Sequence, residues 1–187
     1  MANNLITFEQ VLEETKKAIS ETLNIDISKI TPESSLIKDL GAESLDFLDI
    51  NYRLEQAFGI KMARRFILEH VEELYGEGVA IDDTGKLTDK AIEILKIRLG
   101  EKANDLKPGI YIDEVTSLIT VESLARGVMD ILQSLPEKCT SCGAENWKFT
   151  ENLQLACASC NEPAEYKNGD DLVVEYIEQV NAERKIF

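Results

Sequence analysis

The sequence predicts a mainly α-helical protein with one small β lobe. Apolar residues recur at helical spacing through most of residues 1–135, and Ser, Thr, Gly or Pro bracket those segments. Alternating apolar residues and all four cysteines are confined to the last third. The division expected is a helical domain over 1–135 and a cysteine-bearing lobe with the tail over 136–187.

The first helix opens at Thr7, whose spacing to Gln10 is that of a capping box. It places Phe8, Val11, Leu12, Ala18, Ile19 and Leu23 on one face over about four turns. Residues 24–43 hold Pro32, Gly41 and several Ser and Thr, with Ile25, Ile27, Ile30, Leu36, Ile37 and Leu40 spaced between them. They read as a long loop anchored by its apolar side chains.

A second helix is expected from Ser44, a good N-cap residue type, to about Phe58, with Gly59 as its stop. Asp46, Asp49, Arg53 and Gln56 form a polar stripe at 100° per residue. Leu45, Leu48 and Tyr52 flank it on one side, and Phe47, Ile50, Leu54 and Phe58 on the other.

Further helices are expected over Ala63 to Tyr75, from the Thr88 cap through Ile92, Leu95 and Leu99, over Ile112 to Ile119, and from the Thr120 cap to Pro136. Between them, Val79 to Ile81 and Lys86-Leu87 read as short strands about an Asp82 to Gly85 turn, and Gly100 to Gly109 as a linker. Trp147, Phe149, Leu153 and Leu155 predict a hairpin. The tail from Asp171 has strand or helix character.

At 187 residues, 44 % hydrophobic and 29 % charged, the chain can bury one core and has room for a second small unit. No apolar run approaches the ~18 residues of a membrane span, and the start lacks a basic region before an apolar stretch, so a cytoplasmic protein is expected. The net charge of −15 repels phosphate backbones, which disfavours nucleic acid, and steers basic protein faces towards the surface.

The residues Asp39-Leu-Gly-Ala-Glu-Ser44-Leu-Asp46 lie between the long loop and an amphipathic helix. This stretch resembles the phosphopantetheine attachment motif of acyl carrier proteins, Asp-Leu-Gly-Ala-Asp-Ser-Leu-Asp. The resemblance implies a four-helix bundle in which Ser44 bears a 4'-phosphopantetheine arm, set there by a phosphopantetheinyl transferase. The arm would hold acyl groups as thioesters and pass them among enzymes of fatty acid, polyketide or related synthesis; an aminoacyl or peptidyl cargo is the variant. It also implies docking of basic enzyme faces on Glu43, Leu45, Asp46 and Asp49, and a carrier rather than an enzyme.

A helix N-terminus suits the arm's phosphodiester, because unsatisfied N–H groups and the dipole favour an anion there. The competing reading makes Ser44 only a cap and Leu45 and Leu48 only core residues. The likeness covers Leu5 to about Lys61 and Ile110 to Leu132, with Ile119-Thr-Val121 at the family's junction of third and fourth helices. Glu43 stands where the family has Asp, and about 62–108 is an insertion that compact carriers lack.

Cys139-Thr-Ser-Cys142-Gly and Cys157-Ala-Ser-Cys160-Asn have the spacing of a four-thiolate zinc site. Gly143 and Asn161 are residue types that accept the left-handed backbone of such turns. With all four positions filled by sulfur the site reads as structural, and the segment between the pairs resembles the hairpin of zinc ribbons. Two disulfides are the rival arrangement. Zinc and phosphopantetheine are therefore the expected cofactors.

Two weaker signals carry less. His70, the one histidine, reads as a surface residue, and a Ser44/His70 hydrolase is disfavoured because the Gly-x-Ser-x-Gly elbow is missing. The Asp82 to Gly85 segment departs from a calcium loop. A protein of another class remains as the alternative: an interaction scaffold using the ribbon and insertion, with Ser44 unmodified.

Overall fold

The computed structural model describes residues 5–150 and 152–187. Seven α-helices and one two-stranded sheet are present among them: α1 Phe8–Leu23, α2 Ser44–Phe58, α3 Ile67–Tyr75, α4 Asp89–Leu99, α5 Ile112–Thr116, α6 Val121–Gln133, β1 Trp147–Phe149, β2 Leu155–Cys157 and α7 Gly169–Arg184. The fold class is thus the one expected, mainly α with a small β lobe.

Contacts divide the chain into two compact units, 1–62 with 120–169, and 63–119 with 170–187. This partition differs from the expected 1–135 and 136–187. The cysteine lobe packs with the bundle helices, whereas the C-terminal helix shares a core with the inserted segment. The second unit runs on past the expected insertion of about 62–108 to Ile119, with Val115 of α5 buried in its core.

In the first unit α1 packs against α2 and α6. Thr7 caps α1 through its hydroxyl and Gln10 closes the box from the other side, as the spacing predicts. Val11, Ala18 and Ile19 of α1, Ile50, Leu54 and Phe58 of α2, and Val121, Ala125, Val128 and Ile131 of α6 form the core. Full burial of such side chains is worth about 1.5–3 kcal/mol each. Ile30 and Leu36 pin the 24–43 loop, and the loop is tied to the start of α6 by Val121 N–H donating to Ser34 O at 3.1 Å.

In the second unit Ile67, Leu68 and Val71 of α3, Ala91, Ile92, Ile94 and Leu95 of α4, and Ile177 and Val180 of α7 bury one another. The α3 helix starts at Ile67 rather than Ala63, and the expected strands about Asp82 reduce to a single Ile81–Leu87 bridge. Gly85 ends that turn at φ +81°, as a turn glycine should. The tail resolves as helix α7, and Phe187 beyond it stacks on Tyr75 at 4.6 Å.

His70 is a correction to the sequence reading: it is fully buried rather than on the surface. Its Nε2 lies 2.9 Å from Asp170 Oδ1, and Asp170 also accepts from the N–H groups of Arg64 and Arg65 at 3.1 and 3.2 Å. Histidine at that spacing among Ile67, Leu68 and Val71 lies on the apolar face of α3, so burial follows from helix geometry once a carboxylate is supplied by α7.

Burial opposes the charge on Asp170, but the two N–H donors and the His70 ring outweigh it and hold the carboxyl below its ordinary value of 3.8. The linkage has one sign: the folded group binds its proton less tightly than the unfolded one. Its contribution is therefore complete above the ordinary value and is lost as pH falls through the lowered folded value. Asp170→Ala is expected to destabilise the second unit by about 2–3 kcal/mol, since a buried donor loses its acceptor. Faster amide exchange in α3 and α7 would register this, and the gap from wild type should narrow in acid.

Candidate functional site

The Asp39 to Asp46 stretch builds its geometry residue by residue. Asp39 Oδ2 accepts from Ser35 N–H at 2.7 Å, which folds the end of the loop. Gly41 takes φ +72° with open space around it, so it is required for backbone conformation and not for clearance. Ala42 is buried and donates its N–H to Leu36 O at 2.8 Å, fixing the approach to α2.

Glu43, exposed, is the N-cap residue, and its N–H is received by Asp46 Oδ2 at 2.7 Å. Ser44 is therefore the first helical residue and not the cap. It is exposed, and its hydroxyl has no hydrogen-bond partner among the described residues. The reading of Ser44 as a plain cap has no support in this geometry.

The flanks of α2 separate as the 100° count predicts. Ile50, Leu54 and Phe58 are completely buried, whereas Leu45, Leu48 and Tyr52 are 78 %, 54 % and 56 % exposed. Leu45 and Leu48 are therefore not core residues. A stripe of three large apolar side chains facing water from one helix, starting next to the exposed hydroxyl, is a surface that costs free energy until something covers it.

Asp49 departs from the expected pattern. Its Oδ2 accepts from Thr22 Oγ1 at 2.7 Å and from Arg53 Nε at 2.9 Å, and Arg53 also reaches Glu21 at 2.6 Å. The Arg53 guanidinium first, then the Thr22 hydroxyl, hold the Asp49 carboxyl below its ordinary value of 3.8. Asp49 thus ties α2 to α1, and the acids next to Ser44 are Glu43 and Asp46. The Thr22 partner was not legible from spacing, because it comes from another helix.

The four cysteines converge. Their sulfurs all lie within 4.8 Å of one another, with Cys139 to Cys160 at 3.7 Å and Cys142 to Cys157 at 3.6 Å, and all four are free thiols. A disulfide needs about 2.05 Å. Four sulfurs each about 2.3 Å from a central ion stand about 3.8 Å apart in a tetrahedron, so the cluster fits a metal ion.

The two Cys-x-x-Cys turns repeat one another. Cys139 N–H donates to Ala144 O and Cys157 N–H to Glu162 O, each at 2.8 Å, while Gly143 and Asn161 return their N–H groups to Cys139 O and Cys157 O. Gly143 has φ +74° and Asn161 φ +63°, the left-handed positions their residue types suggested. Backbone N–H groups of Cys160 and Ser159 aim at the Cys157 sulfur and bring its thiol down to about 6. At Cys160 the Glu162 N–H is outweighed by crowding from the neighbouring sulfurs, which pushes that thiol up to about 12, so the first proton leaves from Cys157.

Comparison with known proteins bears on the serine half of the chain. The family model described as "Phosphopantetheine attachment site" matches residues 13–74, which include Ser44. The acyl carrier protein AcpXL of Mesorhizobium japonicum is 52 % identical over 56 residues, 30 % of this chain and 56 % of that protein. AcpXL of Rhizobium etli is 38 % identical over 101 residues, 54 % of this chain and 92 % of the relative. An acyl carrier protein of Helicobacter pylori is 40 % identical over 52 residues, 28 % of this chain and 67 % of the relative.

No solved structure matches the chain. The chain spans a little over half of the Mesorhizobium relative and nearly all of the Rhizobium one. With the attachment motif folded as a loop, a cap and an exposed serine, and with relatives matched at this identity and coverage, the chain belongs to the acyl carrier protein family.

Proposed function

We propose that Ser44 carries 4'-phosphopantetheine and that this protein shuttles acyl thioesters among enzymes of fatty acid, polyketide or related synthesis. The observation that carries this is an exposed Ser44 hydroxyl with no partner among the described residues, one residue inside the N-terminus of α2. The α2 N-terminus favours the arm's phosphodiester there. No base is needed beside the serine, because a phosphopantetheinyl transferase brings its own.

Partner enzymes dock on α2 through Leu45, Leu48 and Tyr52, with Glu43 and Asp46 adding charge that suits a basic face. Cys139, Cys142, Cys157 and Cys160 hold a structural zinc ion. It supplies a fixed cross-link among four thiolates and leaves no position for a reacting water.

The carrier activity has its own test. Protein loaded from coenzyme A and then charged with a fatty acyl group should gain the acyl mass and lose it on treatment with neutral hydroxylamine, as a thioester does. A loaded protein that accepts no acyl group, or holds it through a bond that hydroxylamine leaves intact, would refute the proposal. Asp49→Asn should change loading less than about twofold, since Asp49 is occupied by Arg53 and Thr22; transferase kinetics at fixed ionic strength would check this.

A further inference from the structure

The end of the first unit remote from Ser44 carries a groove that the carrier reading does not use. It has a volume of about 410 Å³ and is lined by Leu5, Leu135, Pro136 and Trp147, with Gln133, Glu137 and Glu145. Its position is fixed by the lobe's attachment to the helix ends. Gln154 Nε2 donates to Gln56 O near the end of α2 at 2.7 Å, and Lys167 N–H donates to Ser134 Oγ beyond α6 at 3.0 Å. The 15 residues of α2 separate that end from Ser44 by about 20 Å.

We infer that this groove is a second docking site, for a partner's peptide segment bearing a bulky apolar residue flanked by lysine or arginine. The apolar lining receives the anchor side chain. The charged side chains lining it, Glu137 and Glu145, are both acidic, in a chain of net charge −15. An anionic cofactor or a fatty acid headgroup is therefore repelled, and a cationic flank is attracted.

Lys138 pairs with Glu145 at 3.0 Å, yet these side chains are 64 % and 68 % exposed, and such pairs exchange partners at little cost. The Trp147 Nε1–H is buried without an acceptor among the described residues, and the Trp147 side chain adds to the groove's apolar lining. Because the site lies far from Ser44, it can tether a partner while α2 remains open to the enzymes that work on the arm. The tether would raise the effective concentration of that partner at the arm.

The groove also depends on the cysteine cluster. Trp147 is paired across the hairpin with Cys157, and Glu137 precedes Cys139 by two residues, so both walls are set by metal ligands. Release of the metal is expected to dismantle it.

Trp147 is the one tryptophan of the chain, so its emission reports on the groove directly. The test uses the zinc-loaded full chain and a dodecapeptide with a central leucine-phenylalanine pair between two lysine-arginine pairs. Its control replaces the central pair by two serines. The expected result is saturable one-to-one binding with a shift in Trp147 emission. Affinity should fall at least tenfold in the control peptide and in the Glu137→Lys/Glu145→Lys variant. Phosphopantetheine loading of that variant should equal wild type, which separates failure of this inference from failure of the carrier reading.

Equal binding of the control peptide, or no loss in the double variant, would mean diffuse attraction to an acidic surface and would overturn the proposal. Binding without a change in Trp147 emission would place the peptide elsewhere and overturn it too. So would a concentration-dependent emission change of the protein alone, which would give the groove to a second copy of this chain.

Discussion

Cys157→Ser is expected to abolish stoichiometric zinc binding and to unfold the hairpin and both cysteine turns. Cys157 is completely buried, and its sulfur is one of four meeting within 4.8 Å. Structural zinc in small domains contributes about 10–16 kcal/mol of apparent binding energy, more than a lobe with so few buried side chains can recover elsewhere. Elemental analysis should give one zinc per wild-type chain and none in the variant, with Trp147 emission moving to the red. The α1, α2 and α6 helices have their own core, so far-ultraviolet circular dichroism should keep most of its helical signal.

Leu48→Asp is expected to lower the kcat/KM for phosphopantetheine loading by about 10- to 100-fold, a loss of about 1.4–2.7 kcal/mol of interaction with the visiting enzyme. The side chain is 54 % exposed, so the change should leave thermal stability nearly unaltered. Steady-state transferase kinetics paired with a melting curve would separate the two effects. A substitution in the buried flank, Leu54→Ala, should behave in the opposite way, costing about 2–5 kcal/mol of stability through the cavity it leaves.

The contrast between Leu48 and Leu54 shows what was legible in the sequence and what was not. Periodicity alone placed Leu45, Leu48 and Tyr52 on one flank of α2 and Ile50, Leu54 and Phe58 on the other. It could not say which flank meets α1, because both are apolar. The cysteine turns were readable down to Gly143 and Asn161, since their backbone demands are local.

Where a residue's role is set by a partner far along the chain, local pattern failed. Local pattern puts His70 on the surface because its acceptor, Asp170, is 100 positions away. Spacing offers Asp49 as one of the acids of the α2 stripe, and its bond to Thr22 emerges only when α1 packs on α2. At Ser44 the difference is local: the residue type suits a cap, yet Glu43 and Asp46 take that duty and leave the hydroxyl unused. The structure's partition differs from the 1–135 and 136–187 division because α7 shares a core with α3 and α4 through side chains that meet only after folding.

The central claim is that the Ser44 oxygen receives the phosphopantetheine arm. Intact-mass measurement after incubation with coenzyme A and a promiscuous phosphopantetheinyl transferase tests it most directly. Wild type should shift completely by the mass of one arm and Ser44→Ala by nothing. A folded wild type that stays unmodified, or an alanine variant that gains the same mass, would contradict the account.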